Sequence, residues 1–416
     1  MSDSWDVVDL LAEIADVGRD PVRGGYSRHV FEPAELELRA WFTGRAAALG
    51  LSVEPDRNGN IWAHWGEPGP GTVGTGSHLD SVPGGGPLDG PLGVASALSA
   101  VARLRERGFV PARPVAVIAF AEEEGSRFGL ACLGSKLMTG ALKPAAVAAL
   151  ADADGVTFAQ AAAAAGLEPA GIGRDDERLA SLGAFVELHV EQGRALADLG
   201  APVAVASAIL AHGRWRVTFT GEGNHAGATP MAGRRDPVVA ASAAVLAARE
   251  IAAARDDPAG GVNARATVGR FAAVPGGTNV IASRVDAWLD VRGDTDAACR
   301  ALVAEITAAI QVAAGRYGCR AELTQESYVT EVAFDAGLRG RMRTLLAGVP
   351  ELGDVPVLAT GAGHDAGVLA AELPTAMLFV RNPTGVSHAP AETASAADCG
   401  AGARALAAVL ADLAGA

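Results

Sequence analysis

The sequence predicts an α/β protein in which a second domain is inserted into a mostly parallel sheet. Helical and strand-like patterns alternate over the first half, residues 209–327 follow a different β-α-β-β-α-β order, and the alternation resumes after residue 328. Because 416 residues exceed one ordinary hydrophobic core, two domains are expected. We therefore predict a first domain of residues 1–208 and 328–416, with a ferredoxin-like domain of residues 209–327 inserted into it.

Several elements of the first domain have clear signals. The run Val115–Phe120 is apolar throughout, which is typical of a strand covered on both faces in a parallel sheet. Gly50 and Gly108 can each end a helix. Residues 183–191 alternate between two faces, so His189 is predicted on a strand rather than in a loop. The predicted elements are a helix over 33–49, a helix through Leu98, Val101 and Leu104, and strands over 61–65, 72–77, 115–120 and 183–191.

The inserted domain has two alanine-rich helical segments between strand-like ones. Asp236 and Pro237 suit the N-cap and the first position of its first helix. The predicted strands are 214–220, 264–274, 284–292 and 320–327, and the helices run from 237 to 254 and from 296 to 317. A strand over 377–380 and a final helix over 395–413 then belong to the first domain.

Composition limits the partners and the compartment. The net charge of −14 and the pI near 5.1 argue against nucleic acid or an anionic membrane as the main partner. No stretch approaches the roughly 18–20 uninterrupted apolar residues of a membrane span, and Met1–Asp6 lacks the start of a signal peptide. The four cysteines form no CxxC pair, which indicates buried thiols in a reducing compartment. We expect a cytoplasmic protein.

Five short segments each carry a side chain that binds divalent metal. Three imidazoles and two carboxylates suit zinc or manganese, and also admit cobalt or nickel. One carboxylate can bridge two cations, and the other four ligands then divide two per metal. The spare acid Glu123 is suited to act as general base toward a water. The segments are Ser77–Asp80, Gly86–Gly90, Glu122–Gly125, Glu187–Gly193 and Ser387–Pro390.

Each residue alone also has an ordinary explanation. A single histidine such as His78 is more often a hydrogen-bonded core or surface residue, and a run such as Glu122–Glu124 is usually a solvated turn. Here the candidates sit beside glycine or at the ends of predicted strands, where sites gather in open α/β sheets. Asp80, two residues after His78, could orient the imidazole. The combination therefore indicates a two-metal hydrolase.

With these motifs the chain resembles the dinuclear-metal amidohydrolases of the aminoacylase and carboxypeptidase superfamily. It is most similar to the branch of allantoate amidohydrolase and N-carbamoyl-L-amino acid hydrolase, with yeast-type β-ureidopropionase. The resemblance covers essentially the whole chain. The segments that carry it are Gly76–Val82, Glu122–Phe128, Glu187–Gly193, Asn224–Gly227, Gly276–Asn279, Asp290–Arg292, Gly361–Asp365 and Ser387–Glu392.

The resemblance implies a role for each matching residue. It makes Glu123 the general base and Asp89 a bridging metal ligand. The full set of metal ligands that it implies is His78, Asp89, Glu124, His189 and His388. It implies an inserted domain that is a lid and forms a homodimer interface, through which His225 reaches the partner's active site. Two departures, Leu88 before the bridging acid and Ala228 after the His-Ala-Gly motif, leave the pocket shape open. The substrate-contacting residues implied are Gln192, His225, Asn279 and Arg292.

These pocket residues keep ordinary alternatives too. Arg292 could form a surface ion pair, although guanidinium suits bidentate recognition of a substrate carboxylate. Asn279 could be a turn former, His225 a loop histidine and Gln192 a hydrogen-bonding residue at a strand end.

The resemblance implies hydrolysis of a linear ureido or carbamoyl C–N bond. Allantoate, giving ureidoglycine with ammonia and carbon dioxide, is the leading substrate. An N-carbamoyl-L-amino acid is the main rival, because a second ureido arm needs polar partners whereas an amino-acid side chain often wants an apolar pocket. A peptidase or N-acyl amino acid hydrolase is a weaker alternative. A non-catalytic binder would be expected to lack a ligand or the base, and all six residues are present.

Overall fold

The protein is described by a computed structural model covering residues 4–257 and 262–415. Its contacts divide into two compact units: one runs to Ser207 and resumes at Ala333, and the other is Ala208–Val332. The expectation that the chain lacks a signal peptide was based on Met1–Asp6. Residues 1–3 of that segment lie outside the described residues.

The first unit is built around a large sheet with helices on its faces. Its strands are β1 Ser52–Pro55, β2 Ile61–Trp65, β3 Thr72–His78, β4 Val115–Phe120, β5 Leu182–Val190 and β6 Val203–Ile209, and later β13 Val332–Ala333, β14 Val357–Thr360 and β15 Thr375–Val380. Its helices are α1 Val7–Glu13, α2 Pro33–Ala48, α3 Pro91–Glu106, α4 Leu133–Met138, α5 Pro144–Ala148, α6 Phe158–Ala164, α7 Asp176–Ser181 and α8 Ala195–Leu199, and later α11 Ala336–Leu346, α12 Asp365–Leu369 and α13 Ala396–Ala414.

The sheet has a parallel centre and antiparallel edges. Its strand order is β1-β2-β4-β3-β5-β15-β6-β13, with β14 paired to β6. The four central strands β4, β3, β5 and β15 run parallel to one another. Strands β2 and β6 flank them in antiparallel orientation. This confirms the predicted α/β class with a mostly parallel central sheet.

The hydrophobic patterns explain why these strands are central. Strands β3, β4 and β15 are buried at every residue, as continuous apolar or small-residue runs between two layers must be. Helices α3 and α13 cover one face and contribute to a large hydrophobic cluster. Gly93 on α3 has no side chain because a Cβ there would lie 2.3 Å from the Leu188 carbonyl oxygen, so the helix packs directly on β5.

The second unit has its own sheet and core. It contains β7 Ala211–Thr220, β8 Asn224–His225, α9 Pro237–Arg255, β9 Ala264–Val274, β10 Val280–Ile281, β11 Arg284–Gly293, α10 Asp296–Arg316 and β12 Arg320–Val329. The sheet order is β12-β7-β11-β9, all antiparallel, and β8 and β10 form a separate short ribbon. Asp236 caps α9 by accepting the Val238 N–H, as predicted.

Two helices of the second unit reach the length and apolar character of a membrane span. They are α9 and α10, with mean hydropathies of 1.5 and 1.4. Each packs one side into the core of this unit, α9 through alanines such as Ala244 and α10 through residues such as Ile306. One-sided burial of this kind is ordinary for helices that cover a sheet, so length and composition are weak evidence for a membrane.

The long elements follow their predicted bounds closely. The strand over Ile61–Trp65 and the strand over Ala264–Val274 have the predicted ends, and His189 lies on a strand as expected. Short helices between β4 and β5, and the strands β1, β6, β13 and β14, were not predicted. Their segments are too short or too uniformly rich in alanine to show a period of 3.6 or 2.0.

Candidate functional site

The four central strands bring distant parts of the chain to one edge of the sheet. His78 is the last residue of β3, and the acidic run Glu122–Glu124 follows β4 directly. His189 is the last but one residue of β5, and His388 lies in the loop after β15. Because parallel strands end at the same edge, these side chains converge there. Asp89 joins them from the loop that leads into α3.

Three of these residues form a buried group. Oδ1 of Asp89 lies 3.5 Å from Nε2 of His78 and 3.2 Å from Nε2 of His189. The two imidazole rings are stacked with their centres 5.8 Å apart. All three side chains are almost completely shielded from solvent. Their ligand-type atoms are close enough together to surround one cation.

The backbone sets the tautomer of both buried imidazoles. Nδ1 of His78 lies 3.1 Å from the Asp80 carbonyl oxygen, and Nδ1 of His189 lies 2.9 Å from the Val190 carbonyl oxygen. A carbonyl only accepts, so each Nδ1 carries the proton and each Nε2 of the neutral ring has a lone pair. Neither Nε2 has a hydrogen-bond partner although both are buried. Such orphaned lone pairs, aimed at a shared carboxylate, fit a metal cation.

The other oxygen of Asp89 belongs to a second group. Oδ2 of Asp89 lies 3.3 Å from Nε2 of His388, which lies 3.4 Å from Oε2 of Glu124. These three residues also meet the geometric requirement for holding one cation. Gln192 donates from Nε2 to the same Asp89 oxygen at 2.9 Å. Asp89 thus directs one oxygen to each group, which is the geometry of a bridging carboxylate.

Glu123 lies beside this cluster and takes part in neither group. Its Oε2 is 3.8 Å from Nε2 of His78, and its Oε1 accepts a hydrogen bond from the Cys132 thiol at 3.3 Å. Burial raises the pKa of the Glu123 carboxyl well above its ordinary value; His78 opposes this rise, whereas Asp365 adds to it. A carboxyl with a raised pKa is a better proton acceptor in its ionised form.

The other titratable groups of the cluster are shifted by burial and by one another. Burial alone would lower the pKa of His78, but nearby carboxylates, Glu123 first, raise it well above its usual range. Burial, together with the charge of Asp89, raises the pKa of Glu124 to about 7. The hydrogen bond to Asp89 raises the pKa of His388 to about 9. Shifts of this size cluster at functional sites.

Asp80 contacts the His78 imidazole, as expected, and has a second role. The Asp80 atom nearest to Nδ1 of His78 is the main-chain carbonyl oxygen, at 3.1 Å. The Asp80 carboxylate oxygen Oδ1 is 3.5 Å from the same nitrogen. That carboxylate accepts the backbone N–H groups of Glu123 and Glu124 at 3.1 and 3.0 Å. Asp80 therefore fixes the acidic loop after β4 as well as the imidazole before it.

Strained backbone marks three of these loops. Glu122, Cys132 and His388 have φ values of 53°, 54° and 54°, in the left-handed region that non-glycine residues rarely adopt. Each such residue costs about 1–3 kcal/mol and persists where the surroundings hold it. Such strain is common in loops that aim functional side chains.

Glu392 has no role that was predicted from the sequence. Its buried carboxylate accepts the N–H groups of Leu88 and Asp89 at 2.9 and 3.0 Å through Oε1. A Cβ on Gly86 would lie 2.2 Å from the same oxygen, so the glycine makes room for it. The side chain thus ties the Asp89 loop to the loop of His388. The motif ending at Glu392 was recognised, but its role depends on contacts about 300 residues away in sequence.

Two residues without a predicted role, Glu187 and His364, lie next to His189. Glu187, His189 and His364 bring ligand-type atoms together, and both ring nitrogens of buried His364 are without a hydrogen-bond partner. Glu187 accepts the Ser77 hydroxyl at 2.8 Å. Burial raises the pKa of Asp365, next to His364, to about 8. The motifs Glu187–Gly193 and Gly361–Asp365 contain these residues, but neither indicated that they meet.

The remaining predicted substrate residues belong to the second unit. His225 and Asn279 meet on the β8–β10 ribbon, where the Ala226 N–H donates to the Asn279 carbonyl at 3.0 Å. Both are exposed. Arg292 lies near the end of β11 and pairs with Asp290, with Nε 2.9 Å from Oδ1. The ribbon thus brings His225 and Asn279 together. Arg292 forms an ion pair with Asp290, which is the ordinary alternative that the sequence left open for it.

Comparison with known proteins yields relatives over the full chain. An N-carbamoyl-L-amino acid amidohydrolase of Geobacillus stearothermophilus is 37% identical over 405 residues, which cover 95% of each chain. An allantoate amidohydrolase of Escherichia coli is 33% identical over 410 residues, 98% of this chain and 97% of the relative. A solved amidase of the hydantoinase/carbamoylase family from Burkholderia multivorans superposes with a TM-score of 0.88 at 30% identity, over 99% of this chain and 97% of that one.

The family model agrees with these relatives. The model described as Peptidase family M20/M25/M40 matches residues 74–412, most of the chain. This range begins within β3 and ends in α13, so it includes every residue of the two candidate metal groups. The resemblance read from the motifs is therefore confirmed: the chain belongs to peptidase family M20/M25/M40.

Proposed function

We propose that this protein is an amidohydrolase that cleaves the C–N bond of a linear ureido or carbamoyl group on a small carboxylate. The observation that supports this best is Asp89, which directs its two oxygens to two separate imidazole–carboxylate groups beside the unshared acid Glu123. Full-length relatives named as an N-carbamoyl-L-amino acid amidohydrolase and an allantoate amidohydrolase support the bond type.

Two divalent cations are the proposed cofactors. His78 and His189 would hold one, Glu124 and His388 would hold the other, and Asp89 would offer one carboxylate oxygen to each. Nitrogen and oxygen ligands without thiolate suit zinc or manganese, with cobalt or nickel as alternatives. Bound cations of this kind polarise a carbonyl and lower the pKa of water toward neutrality.

Glu123 is the proposed general base. Its ionised carboxylate takes a proton from the water that attacks the ureido carbonyl carbon, and then returns the proton to the leaving nitrogen. The thiol of Cys132 and the backbone contacts of Asp80 keep the side chain and its loop in place. The carbamate that leaves decomposes to ammonia and carbon dioxide.

The proposed substrate contacts are His225, Asn279, Arg292 and Gln192. His225 donates a hydrogen bond to the oxygen that gains negative charge, a contribution worth several kcal/mol in acyl transfer. Arg292 binds the substrate carboxylate. To do so, its guanidinium gives up part of its ion pair with Asp290. Asn279 and Gln192 complete the polar contacts.

We also propose that the second unit is a ferredoxin-like lid through which two chains form a homodimer. Its β-α-β-β-α-β order and the sheet order β12-β7-β11-β9 support the domain type. In such a dimer His225 serves the partner's active site. Light scattering of the purified protein should give twice the chain mass of 41.9 kDa, and a monomer with full activity would contradict this part. A cytoplasmic location completes the proposal.

Allantoate is the first substrate to test, and an N-carbamoyl-L-amino acid is the second because the relative at 37% identity is named for it. The experiment measures ammonia release by the metal-reconstituted protein from allantoate and from N-carbamoyl-L-methionine, with N-acetyl-L-methionine as a control that lacks the ureido nitrogen. We expect turnover of a ureido compound and at least a hundredfold lower kcat/KM for hydrolysis of the control, followed as methionine release. Turnover of neither ureido compound would refute the assignment.

A further inference from the structure

The turn after β8 makes Nδ1 of His225 an acceptor. The backbone N–H groups of Gly227 and Ala228 both donate to this nitrogen, at 3.1 Å each. The position of a backbone N–H proton is fixed by the chain, so Nδ1 must supply the lone pair. The proton of the neutral ring therefore lies on Nε2. His225 can then offer an Nε2–H donor to a substrate oxygen.

Arg234 holds the turn that provides those two N–H groups. Its Nη2 donates to the carbonyl oxygens of Ala226 and Thr229, at 2.8 and 2.6 Å, and its Nε donates to that of Pro230 at 3.2 Å. The three carbonyls lie on either side of Gly227 and Ala228 in the chain. A guanidinium is planar with several fixed donors, so one side chain can join all three.

The rest of the turn is anchored independently. The Thr229 hydroxyl donates to the His225 carbonyl at 2.8 Å, and the Ala226 N–H donates to the Asn279 carbonyl at 3.0 Å. These bonds fix where the turn starts. The Thr229 N–H also donates to the His225 carbonyl, at 3.1 Å, and closes the turn around Gly227 and Ala228. The Gly227 N–H shares a planar peptide group with the Ala226 carbonyl, so its direction depends on the bond from Arg234. The Ala228 N–H shares its peptide group with the Gly227 carbonyl, and Arg234 acts on it only by holding the residues on either side.

We propose that Arg234 is a positioning residue that keeps His225 in the Nε2–H form by bracing the turn Ala226–Pro230. This inference rests on the proposed function for its catalytic consequence, because it is the oxyanion of ureido hydrolysis that would receive the Nε2 proton bond. The tautomer itself does not depend on which substrate is cleaved. Without Arg234, the Ala226–Gly227 peptide group rotates its N–H away from Nδ1, and the neutral ring exchanges between both tautomers.

The direct test is nitrogen NMR of protein labelled with ¹⁵N-histidine. His225 is assigned among the eight histidines by comparison with His225→Gln. At a pH where the ring is neutral, the wild type should show an unprotonated Nδ1 and a protonated Nε2. Arg234→Ala should shift both resonances toward the average of the two tautomers, and Arg234→Lys should give an intermediate shift. Arg235→Ala, at the exposed neighbouring arginine, is the matched control and should match the wild type.

Kinetics give the second measurement. Arg234→Ala should lower kcat with little change in KM, by at most the roughly 10²–10³-fold that one lost oxyanion donor costs. Arg235→Ala should leave both constants unchanged. If Arg234→Ala does not fold, the proposal is tested by the His225 resonances and the kcat of Arg234→Lys. An unchanged His225 tautomer in the folded Arg234 variants would overturn the proposal.

The two proposals fail in different ways. If the wild type hydrolyses no ureido compound, the function is wrong, while the resonances still test Arg234. If the resonances shift in Arg234→Ala but kcat does not, His225 is not the oxyanion donor and the catalytic consequence is refuted.

Discussion

Single backbone carbonyls decide what the buried histidines can do. The Asp80 and Val190 carbonyls each take the Nδ1 proton of an imidazole, which leaves both Nε2 lone pairs directed at Asp89. The sequence could indicate that these histidines bind metal, because strand ends and adjacent acids are visible in it. It could not indicate that a carbonyl rather than the Asp80 carboxylate is the nearer partner, because that depends on the local path of the chain.

The first prediction concerns Glu123. Glu123→Gln removes the proton acceptor but keeps the size and most contacts of the side chain, and it removes no proposed ligand. We expect metal content equal to the wild type and a kcat lower by about 10²–10⁴-fold, the usual contribution of a general base. Elemental analysis and steady-state kinetics on one preparation measure both. Near-normal turnover would show that another group is the base.

At the scale of elements, the site is held by contacts between loops far apart in sequence. Helix caps and apolar runs predicted the long strands and helices, including the Asp236 cap and the β4 run. The short helices between β4 and β5 could not be predicted, because none is longer than 7 residues, which is too short to show a period of 3.6. The Glu392 contact with the Asp89 loop could not be predicted either, since it exists only once β3 and β15 are in one sheet.

The second prediction concerns that contact. Glu392→Ala leaves the N–H groups of Leu88 and Asp89 without their acceptor, so the loop no longer fixes the bridging carboxylate. We expect metal affinity to fall by about 10–100-fold, as for other groups that orient ligands. Calorimetric titration of the metal-free protein with Zn²⁺ or Mn²⁺ measures it. The exposed Glu351→Ala serves as the control and should bind as the wild type does. Equal metal affinities of Glu392→Ala and Glu351→Ala would show that Glu392 does not position the bridging carboxylate.

At the scale of the whole molecule, folding gathers acids whose pKa values are raised by burial. The pKa of Glu122 and that of Asp365 are each about 8, far above the ordinary value near 4. At a pH between about 4 and about 8, these acids are protonated in the folded chain but ionised in the unfolded chain. The free energy of unfolding contributed by these groups therefore falls as the pH rises from about 4 to about 8. The raised pKa of His78 acts in the same direction above its ordinary value.

The third prediction follows from that sign. In the presence of a chelator, urea unfolding at pH 5, 6, 7 and 8 should show decreasing stability. Asp365→Asn should flatten this dependence, because the amide has no proton to release and can still accept the Ser135 hydroxyl. The same pH dependence in the variant and the wild type would mean that Asp365 titrates normally.

Strand order is what places the proposed ligands together, from His78 near the start of the first unit to His388 near its end. The most direct measurement is anomalous diffraction from crystals grown with manganese or zinc. The account predicts two peaks per chain about 3.5–4 Å apart, with one oxygen of Asp89 on each. One peak is bound by His78 and His189, and the other by Glu124 and His388. A single peak, or peaks away from Asp89, would contradict it.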